Sequence, residues 1–314
     1  MQILSLCSGY GGLDLAVEKF FGATTTYWSE TDSAAAEVMA ARWPDASPLG
    51  DLTKLNPHEL SDIDIVCAGF PCQPFSTAGL RKGNDDERAI FQYIGDIISV
   101  LRPRVVVLEN VQGILTRGGP EVIGTLTHFG YDSRWLIVRA SDAGAPHRRA
   151  RWFCIAEPAD TDSASSETWS NSRRDSEQSR QELVGHSLLA ADSSSERHGR
   201  QQDLGLVAQL DRREEETKDK RQRPRQESEH RSETDFGHYA PAINRWEHII
   251  GRPAPPPVVD GNLSARFVEW MQGLDEGHIT SIITKRTPAL RLLGNGVCPP
   301  QAMLALDLLT TRSS

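Results

Sequence analysis

No run of eighteen or more apolar residues occurs in this 314-residue chain, which removes a membrane-spanning helix from the expectations. The first residues, MQILSLCSGYGG, also lack the basic and apolar blocks of a secretory leader, so a cytoplasmic protein is expected. Cysteine is scarce and scattered: Cys7, Cys67, Cys72, Cys154 and Cys298 are odd in number and include no CxxC pair. That pattern argues against a disulfide framework and against a zinc site, and leaves reduced thiols. Positive charge is in deficit too. A net charge of −9 means that the molecule as a whole does not attract polyanions, so any contact with nucleic acid must come from a local basic cleft.

What is present suffices for a sizeable core: 38% of the residues are hydrophobic, and the length allows one large domain or two modest ones. Short β-rich runs over residues 3–6, 25–29, 63–68, 105–108, 135–138 and 151–156 alternate with helical patterns over 13–21 and 88–101. Strands alternating with helices predict βαβ units and a mostly parallel, doubly wound α/β sheet. The composition then changes. Residues 160–234 are rich in Ser, Glu, Gln and Arg, with apolar patches only at 183–189 and 204–210. This stretch reads as a solvated insertion or linker, and the near-balanced charges of 212–231 fit a solvated face better than a DNA-binding patch. Aromatic and apolar content returns at FGHYAPAINRWEHIIGRPAPPP, helical patterning resumes at LSARFVEWM, and residues 287–309 carry an apolar helix after a glycine turn.

Three segments carry chemistry. In LSLCSGYGGLD a strand runs into glycines and then a helix, a geometry that lets backbone approach a nucleotide-like ligand and that also occurs for packing alone. Glu30 in YWSETD follows at about the distance where an acidic side chain accepts from ribose hydroxyls, and Asp51 in GDLTKL is placed to meet an adenine amino group. The glycines do not form G-x-G-x-x-G, so a monoadenosyl cofactor fits better than a dinucleotide. In GFPCQPFS, Cys72 follows an apolar strand, and Pro71 and Pro74 fix φ on either side. A rigid turn at the carboxyl end of a strand presents a nucleophile, whereas a buried loop cysteine is the ordinary alternative. VVVLENV places Glu109 and Asn110 at another strand end, as helix cap or general acid. GAPHRRARWF places Arg149 and Arg151 on one face of an incipient strand, as an anion clamp or a plain basic edge.

Taken in order, SLCSGYGGLD, GFPCQPFS, ENV, GAPHRRARWF and GNGVCPPQAMLAL resemble the motifs of the C5-cytosine DNA methyltransferase family. The resemblance covers roughly residues 1–156 and 263–309. It implies a Rossmann-type catalytic domain over residues 1–158, a target-recognition domain over 159–262, and a C-terminal segment, 263–314, that returns to the first domain. It also implies S-adenosylmethionine as cofactor, S-adenosylhomocysteine as product, and no metal. By similarity, Leu6, Ser8, Gly9, Tyr10, Gly11 and Gly12 surround the methionine moiety, Glu30 and Thr31 the ribose and adenine, and Asp51 and Leu52 the adenine. Phe70, Pro71, Asn295 and Val297 complete the cofactor set. Two positions depart from the family pattern: Cys7 stands where phenylalanine is usual, and His147 where glutamine is usual.

The chemistry that the resemblance implies is covalent. Cytosine C5 is a poor nucleophile, so Cys72 would first attack C6. Glu109 would protonate N3, and Arg151, supported by Arg149, would hold the base carbonyl. The target must leave the stack, because C6 is inaccessible inside a duplex. Gln73, Ser76, Arg81, Lys82 and Asn110 are the expected DNA contacts, with TAGLRKGNDDER as a loop able to close over the strand. The implied partner is double-stranded DNA, read by a monomer in a bacterial, archaeal or phage-infected cell, with a cognate restriction endonuclease acting on the same site as a further expectation. Methylation of tRNA, and an inactive DNA-binding relative, are the alternatives.

Overall fold

The computed structural model describes residues 1–71, 90–159 and 236–311. Cys72, Gln73, Ser76, Arg81 and Lys82, and the polar stretch 160–234, therefore lie outside the described residues. In chain order the elements are β1 (Gln2–Leu6), α1 (Gly12–Phe21), β2 (Thr24–Ser29), α2 (Ser33–Arg42), β3 (Ser47–Pro48), β4 (Ile65–Gly69), α3 (Ile90–Leu101), β5 (Val105–Val111), α4 (Gly119–His128), β6 (Tyr131–Val138) and β7 (Arg151–Pro158). After the gap come α5 (Ala240–Ile250), β8 (Val258–Val259), β9 (Asn262–Leu263), α6 (Ala265–Met271), α7 (Arg286–Asn295) and α8 (Pro299–Thr311).

Among the described residues, β1 to β7 form one sheet in the order β3-β2-β1-β4-β5-β7-β6. All neighbours run parallel except β7, which is antiparallel to both β5 and β6. The expected mostly parallel, doubly wound α/β sheet is the one observed. Strands buried on both faces need apolar residues at nearly every position, and IVCAG of β4 and VVVL of β5 supply them. One face, through Ile3, Cys67, Val107 and Phe153, packs on α1 and α8. The other, through Leu4, Val66, Leu108 and Trp152, packs on α3 and α4. The strand anticipated at 135–138 begins earlier, at Tyr131, whose buried ring and hydroxyl bond to Pro103 O secure its start. Ahead of the apolar helix α8 stands a further helix, α7, and the glycine turn separates the two.

The chain after the gap is tied to the first domain by aromatic burial. Ile243 and Trp246 of α5 share a core with Ala140, Ala145, Phe267, Trp270 and Cys298. Trp246 Nε1 donates to Trp270 O at 2.9 Å, and Trp270 Nε1 donates in turn to Arg252 O at 3.2 Å. Residues on both sides of the expected boundary at 262 thus belong to one cluster. Among the described residues, no helix is long and apolar enough to cross a membrane.

Trp246 is fully buried, whereas Trp135 on β6 is 48% exposed. Trp246→Ala should lower the urea-unfolding free energy by roughly 3–5 kcal/mol, while Trp135→Ala should change it by less than about 0.5 kcal/mol. Equal effects would mean that α5 does not share this core.

Candidate active site

Parallel strands place their carboxyl ends along one edge of the sheet, where ligands of doubly wound folds sit. β5 delivers Glu109 to that edge. Its neighbour in the β4 register is Gly69, and its diagonal neighbour on the same face of the antiparallel β7 is Arg151, because Phe153 and Val111 are the directly opposed partners. The Arg151 guanidinium Nε lies 3.1 Å from Glu109 Oε1. Burial pushes the Glu109 carboxyl up to about 7, against the opposing pull of Arg151 and then Arg149. Arg151 is lowered from the ordinary guanidinium value, first by burial and then by Arg149, yet stays charged. Glu109 is thus a buried acid able to hold or release a proton near neutral pH. A Cβ placed on Gly69 would sit 3.4 Å from Glu109 Oε2, 3.9 Å from Val297 Cγ2 and 4.0 Å from Cys7 O. The missing side chain leaves a small cradle ringed by these three residues.

Arg149 does not lie on the strand as expected. β7 starts at Arg151, and Arg149 precedes it with φ 37°, in the left-handed region. This backbone turn breaks the alternation and sends the guanidinium elsewhere. It donates to Gly294 O at 3.0 Å through both terminal nitrogens, and also to Gly296 O. It grips the turn between α7 and α8. Gln301, fully buried in α8, donates from Nε2 to Arg149 O at 2.7 Å and to Val138 O at 2.8 Å. His147 lies with Nε2 3.1 Å from Met271 O. Burial, followed by the charge of Arg149, pushes its pKa down to about 4, so a neutral imidazole donates to that carbonyl.

The glycine loop after β1 is built for two different neighbours. A Cβ on Gly11 would fall 2.2 Å from the Trp43 ring, and one on Gly12 2.2 Å from Val297 O. These two glycines serve close packing. Gly9, at φ 58°, has nothing within 4 Å of its would-be Cβ and faces open space. Glu30 steadies the loop: Gly9 N donates to Oε2 at 2.8 Å, Thr31 N to Oε1 at 2.7 Å and Asp32 N to Oε1 at 2.8 Å. An ionised carboxylate offers about four acceptor positions, so Glu30 retains one, on Oε2, rather than a free pair for both ribose hydroxyls. Ser8 is buried and accepts from Ser5 Oγ at 2.8 Å. The side chains of Leu6 and Leu52, expected at the cofactor, belong to the core. Asp51 caps a short helical turn through Thr53 and pairs with Lys54 at 3.2 Å.

At the end of β4, Phe70 is buried against Phe91 with ring centroids 5.2 Å apart, and Pro71 is exposed. Asn110, expected at DNA, is 2% exposed, and its amide donates to Phe70 O at 2.9 Å. The alternation of β5 turns Asn110 inward, onto the face opposite Glu109. There it fixes the backbone that leads into position 72. Val297 is buried and accepts from the Tyr10 hydroxyl at 2.6 Å, while Asn295 is exposed at the end of α7. Gln301, His278 and Glu269 were not among the expected site residues; Glu269 and Gln301 are single polar residues in otherwise apolar stretches and His278 stands among polar neighbours, so each carries only a faint signal in sequence. Every described cysteine is shifted away from thiolate by burial: Cys7 and Cys154 up to about 12, Cys298 to about 11, and Cys67 well above its ordinary value. Among the described residues, no group of three or more His, Cys, Asp or Glu side chains could hold a metal ion.

Between the ordinary carboxyl value of 4.5 and about 7, native Glu109 holds a proton that the unfolded chain has released, so its contribution to stability is present at low pH and is lost as pH rises through that window. Glu109→Gln should flatten this fall, read as the difference in urea-unfolding free energy between about pH 5 and about pH 8. Parallel pH curves for the two proteins would contradict the assignment.

The family described as C-5 cytosine-specific DNA methylase matches residues 1–305. The Type II methyltransferase M.NgoBI of Neisseria gonorrhoeae is 36% identical over 159 residues, 49% of this chain and 50% of the relative. The Type II methyltransferase M.HhaI of Haemophilus parahaemolyticus is 34% identical over 160 residues, 49% of this chain and 48% of the relative. The chain spans about half the length of the curated relatives it matches. Among solved structures, the Dnmt2 methyltransferase of S. pombe shares the fold, with a TM-score of 0.61 at 17% identity and 100% of both chains covered. With the family's profile running across nearly all of the sequence, the chain belongs to the C-5 cytosine-specific DNA methylase family.

Proposed function

We propose that this protein methylates C5 of a cytosine flipped out of duplex DNA, using S-adenosylmethionine, as the DNA-modifying half of a restriction-modification pair or as an unpaired methylase. The observation that carries the reading is the buried Glu109–Arg151 pair beside Gly69, an acid with its carboxyl near 7 and a fixed cation at its side. The cofactor fits the residues around it: Gly9 faces open space, Glu30 keeps one acceptor position for a ribose hydroxyl, and the Gly69 cradle leaves room next to the acid. S-adenosylmethionine, when bound, supplies an electrophilic methyl group.

The chain's own residues prepare the base to receive it. The Cys72 thiolate adds to C6, forming an S–C6 bond, while the Glu109 carboxyl gives its proton to N3 and so keeps the ring neutral. C5 thereby becomes nucleophilic and takes the methyl group. Removal of the C5 proton by a base then breaks the S–C6 bond, and N3 returns its proton to Glu109. Arg151 holds the base carbonyl and favours the ionised carboxylate between turnovers. Arg149 fixes the turn carrying Asn295 and Val297, and Asn110 fixes the backbone before position 72; both are positioning residues. The nucleophile is assigned to Cys72 by its motif, and the burial that raises each of the other four thiols supports the reading. Residues 159–262 read the DNA, anchored at one end by Trp246, and Gln73, Ser76, Arg81 and Lys82 meet the flipped base and the phosphates.

Incubation with S-adenosylmethionine carrying a tritiated methyl group and mixed-sequence duplex DNA should label cytosine C5. Cys72→Ser should lower that rate by at least about a thousandfold, and DNA bearing 5-fluorocytosine in the recognised site should remain covalently attached to the wild type. Label in tRNA but not in DNA would change the substrate class, and equal rates for wild type and Cys72→Ser would reject the nucleophile.

A further inference from the structure

Behind the glycine loop stands a buried polar strut that none of the reactions above uses. Glu269 of α6 is 1% exposed, yet its carboxylate accepts from Gly277 N at 2.9 Å, Ile279 N at 2.5 Å, Thr280 N at 2.9 Å and Thr280 Oγ1 at 2.9 Å. A buried carboxylate is tolerable only when satisfied in this way, and its effect is to fold residues 277–280 tightly around it. Arg42 of α2 grips the same loop from outside, donating to His278 O at 2.9 Å, to Ser281 Oγ at 3.0 Å and to Gly277 O. Held from both sides, the loop drives the His278 imidazole inward.

His278 Nε2 lies 2.9 Å from Tyr10 O. A carbonyl can only accept, so Nε2 carries the hydrogen. The ring stands edge-on to Tyr10, at 6.2 Å and 76°, and to Trp43, at 6.1 Å and 80°. Trp43 is the ring on which Gly11 rests, and Tyr10 is the side chain that holds Val297. His278 therefore touches both supports of the Tyr10–Gly11 peptide, which directly follows Gly9 and its open space. Arg42, Glu269 and Asp275 are the charged groups that act on it, and burial lowers its pKa from the ordinary value, which favours the neutral donor.

We propose that His278 is a positioning residue for cofactor binding: its N–H, delivered by the Glu269 and Arg42 cage, holds the Tyr10 carbonyl so that the glycine loop is already in its ligand-accepting shape. The proposal rests on the reading that this loop binds S-adenosylmethionine. A preformed loop spares the ordering cost that a mobile one would incur on binding, so the loss should appear in affinity and not in the chemical step.

The test is calorimetric titration of the full chain with S-adenosylhomocysteine, together with KM for S-adenosylmethionine and kcat at saturating DNA. His278→Leu, which removes the donor, should weaken S-adenosylhomocysteine binding and raise KM by roughly five- to tenfold, with kcat within about twofold of wild type. His278→Gln, which keeps an N–H donor, should recover most of the affinity. Thr280→Val, which removes one bond to Glu269 and leaves the imidazole in place, should weaken binding by roughly threefold and provides the test should the leucine variant fail to fold. Unchanged affinity in whichever of the leucine and valine variants folds, or a loss as large in His278→Gln as in His278→Leu, overturns the proposal. A wild type that does not bind S-adenosylhomocysteine at all overturns instead the reading of the loop on which it rests.

Discussion

The contact on which the rest of the site depends is the meeting of the α7–α8 turn with the glycine loop after β1. Val297 O lies over Gly12 and accepts the Tyr10 hydroxyl at 2.6 Å, and a Cβ on Gly296 would fall 1.9 Å from the Tyr10 ring. Two backbones can approach so closely only where side chains are missing from both. The approach brings Val297 beside Gly69 and Glu109, and it gives Arg149 carbonyls to grip. The glycine loop and the Glu109 carboxyl are therefore positioned by one interlock, not by two independent supports.

Electrostatics then separates the roles of similar residues. Two arginines two positions apart have different duties because a left-handed turn at Arg149 points one at backbone carbonyls and leaves the other beside a carboxylate. Three buried acids differ in the same way. Glu269 has four donors and serves structure, whereas Glu109 has one cationic partner and a carboxyl near 7. Asp14, also buried, has an unpartnered oxygen, and desolvation pushes its carboxyl up to about 7 as well. Burial is common to all three; Glu109 alone of them stands at the carboxyl end of a sheet strand, where doubly wound folds place their ligand crevice.

Much of this was legible in the sequence because parallel strands must be apolar throughout. Residues 3–6, 63–68 and 105–108 announce the centre of the sheet, and an acid at the end of the last of them is conspicuous. Local alternation could not place Arg149, since its direction depends on a backbone angle that no neighbouring residue dictates. Asn110 is expected at DNA from its motif, yet the pleat that turns Glu109 toward Arg151 turns Asn110 into the core. Tyr239 and Trp246 share one aromatic stretch of sequence; the helical phase of α5 buries Trp246 completely, whereas Tyr239, just ahead of the helix, is 42% exposed. Gln301 and His278 act on carbonyls 152 and 268 residues away, so their purpose is invisible until the chain has folded back.

The same long reach governs the order of events during synthesis. The sheet face that carries Ile3, Cys67 and Val107 is roofed jointly by α1 and α8, and the hydroxyl bond that joins the glycine loop before α1 to the turn before α8 spans 287 residues. Contacts so distant along the chain close slowly, and until α8 has left the ribosome the part of this face that α1 does not cover stays wet. A nascent chain stalled before residue 299 would hold an adhesive surface, the kind of species on which chaperones and proteases act.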